Sequence, residues 1–99
     1  STLPDIVIRS PEILLELKED HKELLFLWAV RLFSSARIAA IRQQSDRNIR
    51  KVRNTMLKKI RKKLLAALTK KVQTQQPLTL LEKEFLKENG VDIEKYTKK

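Results

Sequence analysis

The sequence contains no cysteine among its 99 residues, and it has only one glycine and three prolines. Without cysteine the chain can form no disulfide, no thiol nucleophile and no cysteine-ligated zinc site. With so little glycine and proline it lacks the turn residues that an all-β fold needs, and no clear period-two alternation follows the first few residues. The composition therefore predicts an all-α fold, built as one domain over residues 1–99.

The chain also lacks a long hydrophobic run. Its longest unbroken apolar stretch, Leu24–Val30, is far too short to span a membrane. Near the start, Asp5, Arg9 and Glu12 interrupt any apolar core of a signal peptide. We therefore expect an intracellular protein, in the cytoplasm of a prokaryote or in a nucleus, with no membrane partner.

Side chains suited to catalysis or metal binding are sparse. His21 is the only histidine, and one histidine with scattered carboxylates is a poor set of metal ligands. Ser34, Ser35 and Ser45 have no activating partners in view, and the lone Gly90 cannot form a glycine-rich phosphate loop. The sequence predicts no enzyme, no cofactor and no metal site.

Acidic residues are nearly absent between Arg42 and Lys71. This stretch holds twelve Lys or Arg residues and one acid, Asp46, in a chain whose formal net charge is +10. Its apolar residues recur at steps of three and four, which predicts one amphipathic helix over about 46–72, with Ser45 and Asp46 available to cap it. The predicted apolar row consists of Ile49, Val52, Met56, Ile60, Leu64, Leu68 and Val72.

The basic side chains of this helix are candidates for binding a polyanion. Like charges one turn apart repel, and a surface built only for solubility would mix the two signs. Nucleic acid is the commonest such partner, and so many lysines favour phosphate contacts over base contacts. At about 100° per residue, the side of the helix opposite the apolar row carries Arg47, Lys51, Lys58 and Lys62, with Arg61 beside them. The edges of the apolar row carry three further candidates, Arg53, Lys59 and Lys63. Two alternatives remain, a simply solvated basic face and a surface that docks on an acidic protein.

The remaining elements follow from local signals. Residues 1–9 are expected to form an extended lead-in, followed by a short helix from Pro11 to about Glu19, with Ser10 as its N-cap. We expect a break near Asp20, where Asp20 and Glu23 resemble a capping box, and an apolar helical stretch to about residue 43. A single helix over 21–72 is the alternative, because no Pro or Gly intervenes.

Towards the C-terminus, a polar loop over 73–78 precedes a short helix over 79–90. Thr79 and Glu82 have the spacing of a capping box. Gly90 stands where a left-handed residue would close the helix, with Val91 placed to contact Leu86. One further turn could form within the tail, residues 91–99, whose last residues should fray. The whole is a small helical bundle of three or four helices with one long basic amphipathic helix.

The stretch from His21 to residue 43 is apolar around most of its girth, which is more than a chain of this size can easily bury. We therefore expect part of it to contact a protein partner. The candidates for that interface are Phe26, Trp28, Val30 and Phe33.

Residues 49–88 resemble the α-helical A domain of the GINS family. The segment IRKVRNTMLKKIRKKLLAALTKK, a short loop and then LTLLEKEFLKE match that family's basic helix, loop and following helix. The matching residues are Arg53, Lys58, Arg61, Leu64, Leu65, Leu68, Leu78, Thr79, Glu82 and Phe85. The resemblance implies a subunit of a replicative-helicase accessory complex. Residues and resemblance together predict a non-enzymatic accessory subunit of a DNA replication or transcription assembly. Its basic helix is expected to contact the phosphates of a nucleic acid, which we expect to be DNA.

Overall fold

The computed structural model describes residues 3–97, and within them the chain forms seven α-helices, one π-helical segment and no β-strand. The predicted all-α class and the single long basic helix are confirmed. The short helices are more numerous than expected because the N-terminal half is divided into several pieces. The elements are α1 (Leu3–Ile8), α2 (Pro11–Glu16), α3 (Glu19–Leu25), the π-helical segment (Phe26–Val30), α4 (Ser35–Arg42), α5 (Asp46–Gln73), α6 (Leu80–Glu88) and α7 (Glu94–Thr97).

Helix α5 is the element on which the others pack. It has 28 residues, which corresponds to about 42 Å at 1.5 Å per residue. The molecule measures 55 Å in its longest dimension, and α1, α2, α4, α6 and α7 all contact α5. The predicted apolar row faces this core, with Val52 only partly buried. Its fully buried members are Ile49, Met56, Ile60, Leu64, Leu68 and Val72.

The start of α5 is fixed by a local cap. The Ser45 side chain accepts a hydrogen bond from the Asn48 backbone N–H at 3.0 Å, as the predicted cap requires. Just before it, Gln43 adopts the left-handed conformation with φ 55°, which ends α4. The alternative of one continuous helix over residues 21–72 is therefore wrong.

The predicted extended lead-in is also wrong, because residues 3–8 form helix α1. Leu3, Ile6 and Val7 are buried, and their spacing places all three on one helical face toward the core. Pro4 does not prevent this helix, since the first turn tolerates proline. Residues 1 and 2 lie outside the described residues.

Two boundaries in the next segment differ from the prediction. Ser10 holds the N-cap position of α2, but its hydroxyl donates to the Ile6 carbonyl at 2.6 Å and not to the new helix. Helix α2 ends at Glu16, because the buried Leu17 is extended. Helix α3 begins at Glu19 after Lys18, so the expected capping box of Asp20 and Glu23 does not form.

The apolar stretch from His21 to residue 43 is interrupted at residues 31–34. Leu32 has φ 57°, and the Phe33 N–H donates to the Leu27 carbonyl at 2.9 Å, which closes the π-helical segment. A new helix then starts at Ser34, whose side chain accepts from the Arg37 N–H at 3.1 Å. The break lets α4 turn and bury Ile38 and Ala39.

The C-terminal helix forms as predicted. The Thr79 side chain accepts from the Glu82 N–H at 3.1 Å, and Glu82 accepts from the Thr79 N–H at 2.8 Å, which completes the capping box. Gly90 has φ 77°, and the Val91 N–H donates to the Leu86 carbonyl at 2.9 Å in the expected closure. Part of the predicted tail forms α7, and residues 98 and 99 lie outside the described residues.

The capping carboxylate gives the fold a pH dependence. Burial alone would raise the pKa of Glu82, but hydrogen bonds from the Thr79 N–H and Lys71 outweigh burial and lower it. The stabilisation is therefore present above the ordinary carboxyl pKa of 4.5 and is lost as the pH falls through the lower, folded-state value. We expect urea unfolding to show Glu82→Gln less stable than wild type at pH 7, with the difference shrinking towards pH 3.

The matched control is Glu84→Gln, which changes an exposed carboxylate on the same helix. Its effect on the free energy of unfolding should be small at both pH values. A Glu82→Gln difference that stays constant with pH would show that the charge of this carboxylate does not stabilise the cap.

Candidate nucleic-acid interface

The twelve cations between Arg42 and Lys71 divide into those that the fold engages and those that it leaves to solvent. Five contact another side chain: Arg42, Arg50, Arg53, Lys63 and Lys71. The other seven form no ion pair with any part of the chain between residues 3 and 97. These seven residues, which we call the free-cation surface, are Arg47, Lys51, Lys58, Lys59, Arg61, Lys62 and Lys70.

The two engaged lysines join α5 to its neighbours. The Lys63 Nζ lies 2.9 Å from Glu16 Oε2 on α2, and the Lys71 Nζ lies 3.3 Å from Glu82 Oε2 on α6. The Lys63 pair is exposed enough to add about 1 kcal/mol at most to stability. The ion pair with Glu16 nevertheless directs the Lys63 side chain towards α2, so this predicted site residue is less available to a ligand.

The two engaged arginines near the start of α5 are bound by acids. Arg50 pairs with Asp46 at 3.3 Å within the first turns of the helix. The Arg42 guanidinium reaches the Asp20 side chain at 3.4 Å, the Asp20 carbonyl at 3.2 Å and Glu23 at 3.8 Å. With its side chain only 13 % exposed, Arg42 holds α4 against α3 and is not part of the free-cation surface.

Arg53 has a different role from the other predicted site residues. Its guanidinium carbon lies 5.3 Å from the centroid of the Trp28 ring, within the range of a cation–π contact. Both side chains are half-buried. Arg53 therefore covers the aromatic ring and joins α5 to the π-helical segment.

The four candidates predicted opposite the apolar row are all exposed. Arg47, Lys51, Lys58 and Lys62 succeed one another along α5, and the steps of seven and four residues after Lys51 correspond to about 10.5 and 6 Å along the axis. A shallow depression in this part of the helix holds four cations and two neutral polar side chains. It is lined by Arg47, Arg50, Lys51, Asn54, Thr55 and Lys58.

The buried row does not run straight along the helix, and its rotation explains why Lys70 faces solvent. From Met56 to Val72 it advances in steps of four residues, and each step turns about 40° beyond a full circle. The exposed side rotates in the same sense, so Lys59 and Lys70 come to face solvent. Sequence reasoning missed Lys70, although the repeated step of four was the signal that would have found it.

The predicted partner-interface residues are split in the same way. Phe26 and Val30 are 48 % and 49 % exposed, whereas Trp28 and Phe33 are half-buried against the core. Leu32, which the sequence did not single out, is 80 % exposed. The apolar surface is thus formed by Phe26, Val30 and Leu32, with Phe33 at its side.

The described part of the chain offers neither a metal site nor a membrane-spanning helix. Residues 3–97 contain no group of three or more His, Cys, Asp or Glu side chains that could hold a metal ion. No helix in this part is both long enough and apolar enough to cross a membrane.

Comparison with known proteins found no match among family models, curated proteins or solved structures.

The contact between Arg53 and Trp28 has a direct optical test, because Trp28 is the only tryptophan. We expect Arg53→Ala to increase quenching of its fluorescence by acrylamide, since removing the guanidinium uncovers one face of the ring. Arg50→Ala, which removes an arginine of the same helix that pairs with Asp46, should leave the quenching constant unchanged. Equal quenching in wild type and Arg53→Ala would contradict the contact.

Proposed function

We propose that this protein is a non-enzymatic accessory subunit of a DNA replication or transcription assembly, and that its free-cation surface binds nucleic-acid phosphates. One observation carries this proposal. Seven cations of α5 are left without an ion pair in residues 3–97, and the sequence has no acidic residue from 47 to 81. The fold thus concentrates positive charge on one side of a rigid helix.

A phosphate backbone matches this surface in charge and in chemistry. Neighbouring lysines such as Lys58 and Lys62 repel each other by a few tenths of a kcal/mol, and a polyanion between them removes that repulsion. Each neutralised phosphate also releases counterions from the nucleic acid. Asn54, which lies in the depression among the cations, offers an amide group of the kind that donates to phosphates. The Thr55 hydroxyl in the same depression donates instead to the Lys51 carbonyl at 3.1 Å.

The replication context and the expected protein partners rest on separate grounds. Residues 49–88 resemble the GINS A domain, which favours a replication assembly. The molecule exposes 7081 Å², whereas a compact monomer of 11.6 kDa would expose about 5,800 Å². This extra surface, together with the exposed Phe26 and Val30, supports assembly with other proteins.

The test measures binding to a labelled duplex DNA of arbitrary sequence, by fluorescence anisotropy at several salt concentrations. We expect log K to fall with log salt by about 0.9 for each phosphate contact. Changing Lys51, Lys58 and Lys62 together to Glu should abolish binding. Changing one of them to Ala should lower the salt slope by about one without altering sequence preference.

A charge-matched control separates this surface from net charge alone. Changing Lys18, Lys83 and Lys87 to Glu alters the net charge equally but affects exposed lysines outside α5. This variant should keep most of the affinity. If the α5 variant stays helical by circular dichroism and binds DNA with unchanged affinity and slope, the proposal is wrong. The basic helix would then be better explained as a dock for an acidic protein surface.

A further inference from the structure

The segment Phe26–Phe33 presents apolar side chains to solvent. Phe26, Val30 and Leu32 are 48 %, 49 % and 80 % exposed. They lie close together in sequence, and Phe26 and Val30 are four residues apart, about one turn of helix. None of the three belongs to the buried core or to the partly buried side chains that pack against it.

The backbone that holds Leu32 outward is strained. Leu32 has φ 57°, a conformation that costs a leucine about 1–2 kcal/mol. Gly90 occupies the corresponding region without this cost, and between residues 3 and 97 the two other non-glycine residues with positive φ, Gln43 and Gln75, are polar. The bend at Leu32 serves the fold, since it lets α4 bury Ile38 and Ala39, but the leucine side chain itself is 80 % exposed and adds no burial. Strain of this kind is typical of ligand clamps and other functional sites.

The helix that leads into Leu32 is irregular as well. Residues Phe26–Val30 form a π-helical segment directly after α3. Such segments are rare and occur frequently at functional sites, because they turn side chains away from the regular α-helical positions. Two unusual backbone features thus coincide with the exposed apolar side chains.

The border of this surface is positively charged. The Arg37 and Arg31 guanidinium carbons lie 3.9 and 5.2 Å from the centroid of the Phe33 ring. Neither arginine has an ion pair in the described part of the chain. The sequence contains no acid between Glu23 and Asp46, and Glu23 is itself 3.8 Å from Arg42. An occupant of this surface would therefore meet arginines that lack an anionic partner.

We propose that the surface formed by Phe26, Val30, Leu32, Arg31 and Arg37 docks a short acidic amphipathic helix of a protein partner. The apolar face of such a helix would cover the three exposed apolar side chains, and its carboxylates would pair with the two arginines. Side chains one turn apart, such as Phe26 and Val30, form the kind of ridge that packs between the i and i+4 side chains of a second helix. This docking does not depend on the nucleic-acid function of α5.

Leu32→Gly is the decisive variant. Glycine accepts φ 57° freely, so the substitution removes the apolar side chain while it relieves the backbone. The fold should be retained or slightly stabilised in urea unfolding. Leu80→Ala is the control for an equally exposed leucine elsewhere, and Gln43→Gly is the control for relief of a left-handed residue.

The probe is a fluorescently labelled helical peptide of sixteen residues with leucines on one face and glutamates on the other. All variants are made in a chain carrying Lys51→Gln, Lys58→Gln and Lys62→Gln, so that the free-cation surface does not attract the peptide. We expect saturable binding that Leu32→Gly weakens by about tenfold or more, in line with the loss of a buried leucine. Changing Arg31 and Arg37 to Gln in addition should weaken peptide binding further. The two controls, Leu80→Ala and Gln43→Gly, should bind the peptide as tightly as the parent chain does.

Several results would overturn the docking proposal. The proposal is wrong if the acidic peptide does not bind, or if a peptide with lysine in place of glutamate binds as tightly as the acidic one. It is also wrong if Leu32→Gly binds the acidic peptide as tightly as the parent chain does. Light scattering that shows a dimer lost in Leu32→Gly would assign the surface to a second copy of this chain. Sedimentation with phosphatidylserine vesicles that depends on Leu32, without peptide binding, would assign it to a lipid surface. Because DNA binding is measured with different variants, failure here leaves the nucleic-acid proposal untouched.

Discussion

The burial of one apolar row on α5 is the interaction on which the rest of the fold depends. The other helices have four to nine residues each, and helices this short are not stable alone in water. They become helical because their own apolar side chains, such as Val7, Leu24 and Phe85, pack into the same core as Met56 and Ile60. A single long helix therefore organises a chain that has little other regular structure.

The same helix also carries most of the charge, so apolar burial and like-charge repulsion act on one element. The short helices supply acids only along the edges of the core, where Glu16 meets Lys63 and Glu82 meets Lys71. No acid of the described chain reaches Lys58 or Lys62 on the far side. Repulsion there amounts to a few tenths of a kcal/mol per pair, against about 1.5–3 kcal/mol for each large apolar side chain buried. The fold tolerates the uncompensated charge, which remains available to a ligand.

The parts of the fold that the sequence predicts well are those with local signals. Apolar periodicity, the Ser45 cap, the Thr79–Glu82 box and Gly90 define α5 and α6 almost to the residue. The N-terminal half was predicted poorly because an apolar stretch without Gly or Pro offers no period and no breaker, so tertiary packing decides where it bends, as at Leu32. Helix α1 did carry a readable signal in the spacing of Leu3, Ile6 and Val7.

The candidate site was predictable in location but not in composition. Rotation along α5 identifies the exposed side, but whether a given cation is free depends on which acids fold against it. Glu16 lies 47 residues before Lys63, and no local rule connects them.

Two proposed surfaces on one small chain differ in the physics of their contacts. Proposed binding of nucleic acid at the free-cation surface would come from counterion release and would weaken steeply with salt. Proposed docking at the surface around Leu32 would gain mainly from apolar burial, which salt affects little, and its two arginines would add a smaller screened part. Arg53 connects the elements that carry the two surfaces, since it extends from α5 over Trp28 of the π-helical segment. If both proposals hold, the chain would stay attached to its protein partner at salt concentrations that release the nucleic acid.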